Sequence, residues 1–300
     1  MARPAFTSNI FTLNNGTDVN RKKGLVINWN CCIPDMSEYF DISGNLVDML
    51  IADFIILWND IEPAYRGICT QAKGLGIPVF CMEHGLDPVY TNYWDKVFFA
   101  DYFFAWSESQ KELLLKVGWP EDRVIVVGCP LFRNDLDHRP DGKVAYFPTR
   151  PESQDSLLLW NRIRKIDGIH SVIKLVIPGN DVSLYEGDKV ISLRGSQNHS
   201  DMVYLSLKNA SCMVMDEDST QVLFASHLDI PIIKPKNEYP VYHPSIITEF
   251  NPDKLEDSIY FALGYPEHLR VERQEFVDQF QLGDCAANIY NAIMNVLDKR

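Results

Sequence analysis

The chain has 300 residues, 46% of them hydrophobic and 23% charged, an ordinary globular composition with apolar material for two cores, since single cores stop growing at roughly 250 to 300 residues. Its formal charge of −13 repels polyanions on average and argues against broad electrostatic attachment to nucleic acid or anionic lipid. No stretch approaches the roughly 20 consecutive apolar residues of a membrane span, and the N-terminal Met-Ala-Arg-Pro-Ala-Phe-Thr-Ser lacks the apolar core of a secretory signal, so a cytoplasmic chain is expected.

From Gly24 onward short apolar runs alternate with amphipathic segments, the rhythm of a parallel sheet with crossover helices. Strands are predicted over 25–29, 54–58 and 78–82, with helices over 46–51 and 64–75 between them. A short helix over 93–99, a strand over 102–106, a helix over 108–117 and a strand over 123–127 follow. Gly118-Trp119-Pro120 stops the 108–117 helix, because Gly takes the left-handed cap conformation and Pro bars continuation. The stretch 128–142 is rich in Pro, Asp, Arg and Gly without apolar periodicity and reads as a linker, placing a domain boundary at 135/136.

The pattern then restarts, with strands over 143–147, 171–177, 190–193, 212–216 and 231–234 and helices over 155–166, 202–209 and 220–227. Residues 252–300 are helical by pattern, with Ile289, Ile293, Val296 and Leu297 near one face. Two Rossmann-like halves therefore follow one another. The seven cysteines, Cys31, Cys32, Cys69, Cys81, Cys129, Cys212 and Cys285, form an odd set without a C-x-x-C pair. They are expected to be buried reduced thiols, with no metal site.

Ligands of open α/β sheets bind beyond the carboxyl ends of the strands, so the residues just after each predicted strand carry the chemistry. After the third strand, Glu83, His84, Gly85 and Asp87 set an imidazole among carboxylates in a turn. That is the composition of a general base for an acceptor hydroxyl, and equally of a histidine satisfying backbone groups. After the strand at 212–216, Asp216, Ser219, Thr220 and Gln221 combine a helix start with two hydroxyls, suited to a diphosphate and also to ordinary capping. Thr149 and Arg150, after the strand at 143–147, offer a hydroxyl and a guanidinium for phosphate. Lys174 lies inside a predicted strand, from which it reaches either a ligand or solvent. Phosphate-loop, dinucleotide-loop, zinc-protease and nucleophile-elbow signatures are absent from the sequence.

These segments resemble a known group of proteins. Glu83-His84-Gly85, Ala100-Asp101-Tyr102 to Ser107 and Val124 to Pro130, then Tyr146 to Arg150, Ile173-Lys174-Leu175 and Asp201 to Thr220, are similar to the GT-B proteins that include CDP-glycerol glycerophosphotransferases, capsule-assembly transferases and UDP-N-acetylglucosamine 2-epimerases. The resemblance implies an α/β fold of two Rossmann-like domains facing each other across a cleft: an acceptor domain over 1–135, a nucleotide-donor domain over 136–282, and a helix over 283–300 packing back on the first. It further implies His84 with Gly85 as the proposed base, and Ser219 and Thr220 near Asp216 as the donor-phosphate site. The chain departs from the group at Val176-Ile177-Pro178, where the phosphotransferases have His-Pro, and the Glu-Asn-Arg-type motif of the epimerases is not evident.

Sugar transfer is accordingly the leading expectation: a metal-independent glycosyltransferase without a cofactor, taking a nucleotide-sugar as substrate. The acceptor is a glycan, a polyol or a modified nucleobase, reached in solution or in a peripheral complex. The alternatives are a CDP-polyol or CMP-linked phosphotransferase of capsule or wall polymer assembly, a bacteriophage DNA-base glycosyltransferase, and a non-catalytic GT-B-like binding protein.

Overall fold

The computed structural model describes residues 21–27, 33–58, 60, 62–82, 85, 98–132, 137–175, 190–192, 199–238, 241 and 243–300. Internal contacts divide the chain into two compact units, Met1–Pro130 with Phe280–Arg300, and Leu131–Gln279. The first unit carries β1 (Lys23–Ile27), β2 (Asp41–Ser43), β3 (Phe54–Leu57), α1 (Pro63–Leu75), β4 (Val79–Met82), β5 (Tyr102–Ala105), α2 (Glu108–Lys116) and β6 (Val124–Val126). The second carries β7 (Lys143–Phe147), α3 (Gln154–Ile163), β8 (His170–Leu175), β9 (Val190–Ser192), α4 (His199–Leu207), β10 (Ala210–Met215) and α5 (Gln221–His227). It continues with β11 (Ile232–Pro235), β12 (Ile247–Phe250), α6 (Leu255–Gly264) and α7 (Arg270–Asp278), after which α8 (Cys285–Leu297) belongs again to the first unit.

The first sheet runs in the order β2-β1-β3-β4-β5-β6, every pair parallel. Phe54, Ile55, Ile56 and Leu57 are all fully buried, as a strand covered on both faces must be, and this is why the sequence reads there as a continuous apolar run. One cluster joins Leu25, Ile55, Leu57, Val79 and Phe103 to Cys69 and Ala72 of α1 and Leu114 of α2. A second set of contacts is an aromatic row. Phe80 stacks on Phe104 at 5.0 Å, Phe54 meets Phe40 at 4.6 Å, and Tyr290 of α8 lies 5.3 Å from Phe40. The row explains Gly24 in β1: a Cβ there would stand 2.4 Å from the tip of the Phe54 ring.

Local signals close the elements, among them the helix stop predicted at Gly118. Ser107 caps α2 by accepting the Gln110 N–H, and Gly118 follows the helix at φ +107°, a conformation that side chains with a Cβ rarely adopt. Asp284 caps α8 by accepting from Ala286 and Ala287. The α8 region is tied to the first unit by the Asn288 amide, which donates to Val127 O at 3.0 Å, and by the Cys129 N–H, which donates to Phe280 O at 3.0 Å.

The second sheet runs β12-β11-β10-β7-β8-β9, again all parallel. Counted within the unit this is 3-2-1-4-5-6 in reverse listing, the doubly wound order. Val144, Tyr146, Val214 and Ile233 form its core with Trp160 and Ile163 of α3 and Leu255 and Ile259 of α6. Tyr204 of α4 packs edge-on against Phe224 of α5 at 4.8 Å and donates its hydroxyl to Leu131 O at 3.0 Å.

Two short strands, β2 and β12, carry no prediction, and the helix expected over 93–99 lies, except for its last two residues, outside the described residues. Cys69, Cys81, Cys129, Cys212 and Cys285 are buried free thiols, and burial pushes those of Cys69, Cys212 and Cys285 up to about 12. Cys31 and Cys32 lie outside the described residues. Among the described residues no helix is long and apolar enough to cross a membrane.

Candidate functional site

A doubly wound sheet opens a crevice where its strand order reverses. In the second unit the reversal falls between β7 and β10, neighbours whose register sets Phe147 against Met215. The segments that leave these two strands therefore start side by side, although Thr149 and Asp216 are 67 positions apart in the chain.

Asp216 joins them. Its side chain is 9% exposed, and its Oδ1 accepts the Thr149 N–H at 2.8 Å. Its Oδ2 accepts the Ser156 hydroxyl at 2.5 Å and the Tyr146 hydroxyl at 3.4 Å. Ser153, the N-cap of α3, extends the chain by donating its hydroxyl to Ser156 Oγ at 2.8 Å while accepting the Ser156 N–H. The carboxylate thus holds the β7–α3 turn in place. Thr149 Oγ1 lies 3.5 Å from Glu217 O, and Arg150 Nε pairs with Glu217 Oε2 at 3.3 Å, the arginine being half exposed.

The next acid in the run is also engaged. Asp218, buried, accepts the His243 N–H on Oδ2 at 3.1 Å. Ser219 and Thr220 are half-buried, and their carbonyls accept the N–H groups of Val222 and Leu223 in the first turn of α5. Thr220 stands at the N-cap without a capping bond from its hydroxyl, and Gln221 begins the helix. Lys174 lies in β8 in register with Ile191 of β9. The structure therefore brings Thr149, Arg150, Asp216, Glu217, Ser219 and Thr220 together beyond the carboxyl ends of the two central strands. Metal-holding groups of three or more His, Cys, Asp or Glu are absent among the described residues.

The His243 ring packs on Phe276 at a centroid distance of 5.0 Å. Burial lowers its pKa below the usual 6.5, partly offset by the Asp218 carboxylate. A histidine depressed in the folded state is neutral in both states at high pH. On acidification the unfolded chain binds its proton first, so stability present above about pH 6.5 is lost as the pH falls towards the folded value. His243→Gln should therefore show a smaller drop in melting temperature between pH 7 and pH 5 than the parent. Equal drops in the two proteins, by scanning calorimetry, would assign the acid sensitivity elsewhere.

In the first unit, Glu83, His84 and Asp87 lie outside the described residues. Gly85 is buried beyond the end of β4, and its carbonyl accepts the Gln110 amide at 3.4 Å. Gln110 also accepts the Trp106 N–H at 2.6 Å, so one buried amide spans the exits of β4 and β5. Asp60, fully buried after β3, accepts the N–H groups of Phe99 and Ala100 at 2.9 and 3.0 Å. Sequence reasoning misses both residues, although an acid just past an apolar strand is a readable signal.

No protein-family model matches the chain, and no curated protein matches it in sequence. Solved structures do match. A Listeria monocytogenes protein described as a UDP-N-acetylglucosamine 2-epimerase aligns with a TM-score of 0.61 at 14% identity, over 85% of this chain and 76% of the other. The wall teichoic acid polymerase TagF, soaked with CDPG, aligns with a TM-score of 0.58 at 16% identity, over 83% and 73%. HepE of Anabaena, in complex with UDP and glucose, aligns with a TM-score of 0.57 at 9% identity, over 93% of this chain and 100% of the other. The chain has a GT-B fold, an α/β architecture of two Rossmann-like units.

Proposed function

We propose that the protein is a glycosyltransferase that takes a nucleotide-sugar and binds the donor's diphosphate at Thr149, Arg150, Ser219, Thr220 and Gln221. The observation that carries this reading is the Asp216–Thr149 bond, which locks together the two turns at the reversal point of a doubly wound sheet. A crevice at that point is where such sheets take nucleotides. Three acids in succession, Asp216, Glu217 and Asp218, argue at first against a phosphate. Asp216, however, accepts internal donors on both carboxylate oxygens and Asp218 on Oδ2, and Glu217 pairs with Arg150, a guanidinium suited to bidentate phosphate contact. HepE with bound UDP and glucose has the same fold, which supports a nucleoside diphosphate as the ligand class.

Fixed dipoles and the guanidinium would stabilise the departing diphosphate, the largest single contribution in many such sites. His84 is proposed to deprotonate the acceptor hydroxyl, with Glu83 or Asp87 orienting the imidazole. No metal or cofactor is required by this scheme, and Lys174 is kept as a further candidate for the donor. A cytoplasmic enzyme with a glycan, polyol or modified nucleobase as acceptor completes the proposal.

The test is thermal stabilisation of the purified protein by UDP-, GDP-, CDP- and CMP-linked compounds. One nucleotide class should raise the melting temperature. Arg150→Ala should weaken that nucleotide about tenfold, as expected for loss of a charge-assisted bond, while its own melting temperature stays near the parent's, because an exposed ion pair contributes only about 0–1 kcal/mol. His84→Ala should keep nucleotide binding and lose transfer. A folded protein that responds to none of the compounds would sink the transferase reading and leave a non-catalytic GT-B-like protein. A response to CDP compounds alone, with release of CMP, would favour polyol-phosphate transfer.

A further inference from the structure

The β11–β12 connection reaches the 216–220 turn through a pair of residues that the donor-site reading does not use. Lys234 lies in β11 between Ile233 and Pro235 and is completely buried. Removing an ammonium from water is costly unless it is paired and hydrogen-bonded. A leucine at that position would pack without the cost, so the use of the charge lies in what it holds.

Its Nζ donates to Asn237 Oδ1 at 3.0 Å and lies 3.9 Å from Glu249 Oε1, Glu249 being its register partner on β12. An ammonium offers donors only. The oxygen of the Asn237 carboxamide must therefore face Lys234, and its NH2 group is turned the other way. There it donates to the main-chain carbonyl of Asp216 at 2.7 Å. A trans peptide is planar, so fixing that carbonyl also fixes the direction of the Glu217 N–H on the opposite side of the same plane. Asn237 itself is exposed. The amide therefore sits at the surface of the turn while the group that orients it is inside the protein.

We infer that Asn237, oriented by the buried Lys234, is a positioning residue of the nucleotide site, setting the peptide planes of the 216–220 turn for the phosphates. This rests on the donor-site reading above. The His243 N–H, which donates to Asp218 Oδ2, holds the same turn two residues further on. The β11–β12 connection thus grips the turn at two points, and the β7–α3 turn grips it at a third through Asp216.

Two variants separate positioning from folding. Asn237→Asp is nearly isosteric and gives Lys234 a carboxylate partner, so the melting temperature should hold. It also sets an acceptor where the donor to Asp216 O stood. The affinity for the nucleotide that stabilises the parent should fall about tenfold, and amide hydrogen exchange over 216–220 should quicken even without nucleotide. Lys234→Met removes one partner of the Lys234–Glu249 pair, a loss limited here because the Glu249 side chain is 36% exposed and regains water, and it frees the Asn237 amide to turn over. Its melting temperature should fall by a few degrees at most, while nucleotide affinity falls several-fold. A merely structural role would make affinity follow stability. Parent-like affinity and exchange in Asn237→Asp would overturn the inference alone, whereas a parent that binds no nucleotide would overturn the donor site and this inference with it.

Discussion

Asp216→Ala should destabilise the second unit by about 3 kcal/mol, because it strips the Thr149 N–H and the Ser156 and Tyr146 hydroxyls of a shared acceptor, at roughly 1 kcal/mol for each buried bond lost. For a unit of this size the loss corresponds to a fall of roughly 6 to 12 °C in its calorimetric transition. The donor site should go with it, since the β7–α3 turn that carries Thr149 and Arg150 loses its anchor, and nucleotide should no longer raise the melting temperature. Asp216→Asn is the sensitive control. Its remaining oxygen still accepts the Thr149 N–H, the Ser156 hydroxyl can rotate to accept from the new amide, and Tyr146 keeps Ser156 O at 3.2 Å. A loss less than half that of the alanine variant is expected. An alanine variant that melts with the parent would mean that Asp216 does not hold the two turns together.

Arg273→Met is expected to cost at least as much, by a different route. Arg273 in α7 is 1% exposed, and its guanidinium donates through Nε and Nη2 to Asp229 Oδ1 at 3.2 and 2.7 Å. It also donates to the carbonyls of His268 at 2.6 Å and Pro266 at 3.0 Å. Methionine fills much of the volume but leaves those carbonyls without their donor. Breaking a buried ion pair typically costs about 3–5 kcal/mol. The low end applies here, because the Asp229 side chain is 40% exposed and keeps Arg270 at 2.8 Å. Arg273→Lys should recover only part of the loss, since one ammonium cannot reproduce a fork that serves a carboxylate and two carbonyls. Denaturant titration of the three proteins decides it. A methionine variant within about 1 kcal/mol of the parent would show that the network is dispensable.

The two predictions concern residues of different legibility. Asp216 is visible in the sequence as the first polar residue after an apolar run, and its neighbours Ser219 and Thr220 mark a helix start. Arg273 is not visible at all, since an arginine in the sequence Val-Glu-Arg-Gln-Glu reads as a solvated helix face. It is buried because Asp229, 44 positions earlier, lies beside it in the fold. Lys234 is an intermediate case: a cation inside Pro-Ile-Ile-Lys-Pro is conspicuous, yet nothing local says which group it meets. Glu83, His84 and Asp87 remain legible only as a motif, because they lie outside the described residues.

Local pattern is enough to locate the buried strands and the helices between them, although the three helices after β12 read only as one helical tail. Apolar period, Gly and Pro positions and capping side chains act within a few residues, and the runs at 54–57, 79–82, 143–147 and 212–215 are apolar enough to be strands in any arrangement. It did not disclose β2 or β12, which are short or half-exposed edge strands with little apolar signal of their own. That β7 lies against β10, and hence that Asp216 accepts from Thr149, Arg150 meets Glu217 and Asn237 reaches the Asp216 carbonyl, is a property of the assembled fold. Those pairings depend on strand order, which is set by burying the faces of the whole sheet at once and leaves no trace in any one stretch of chain.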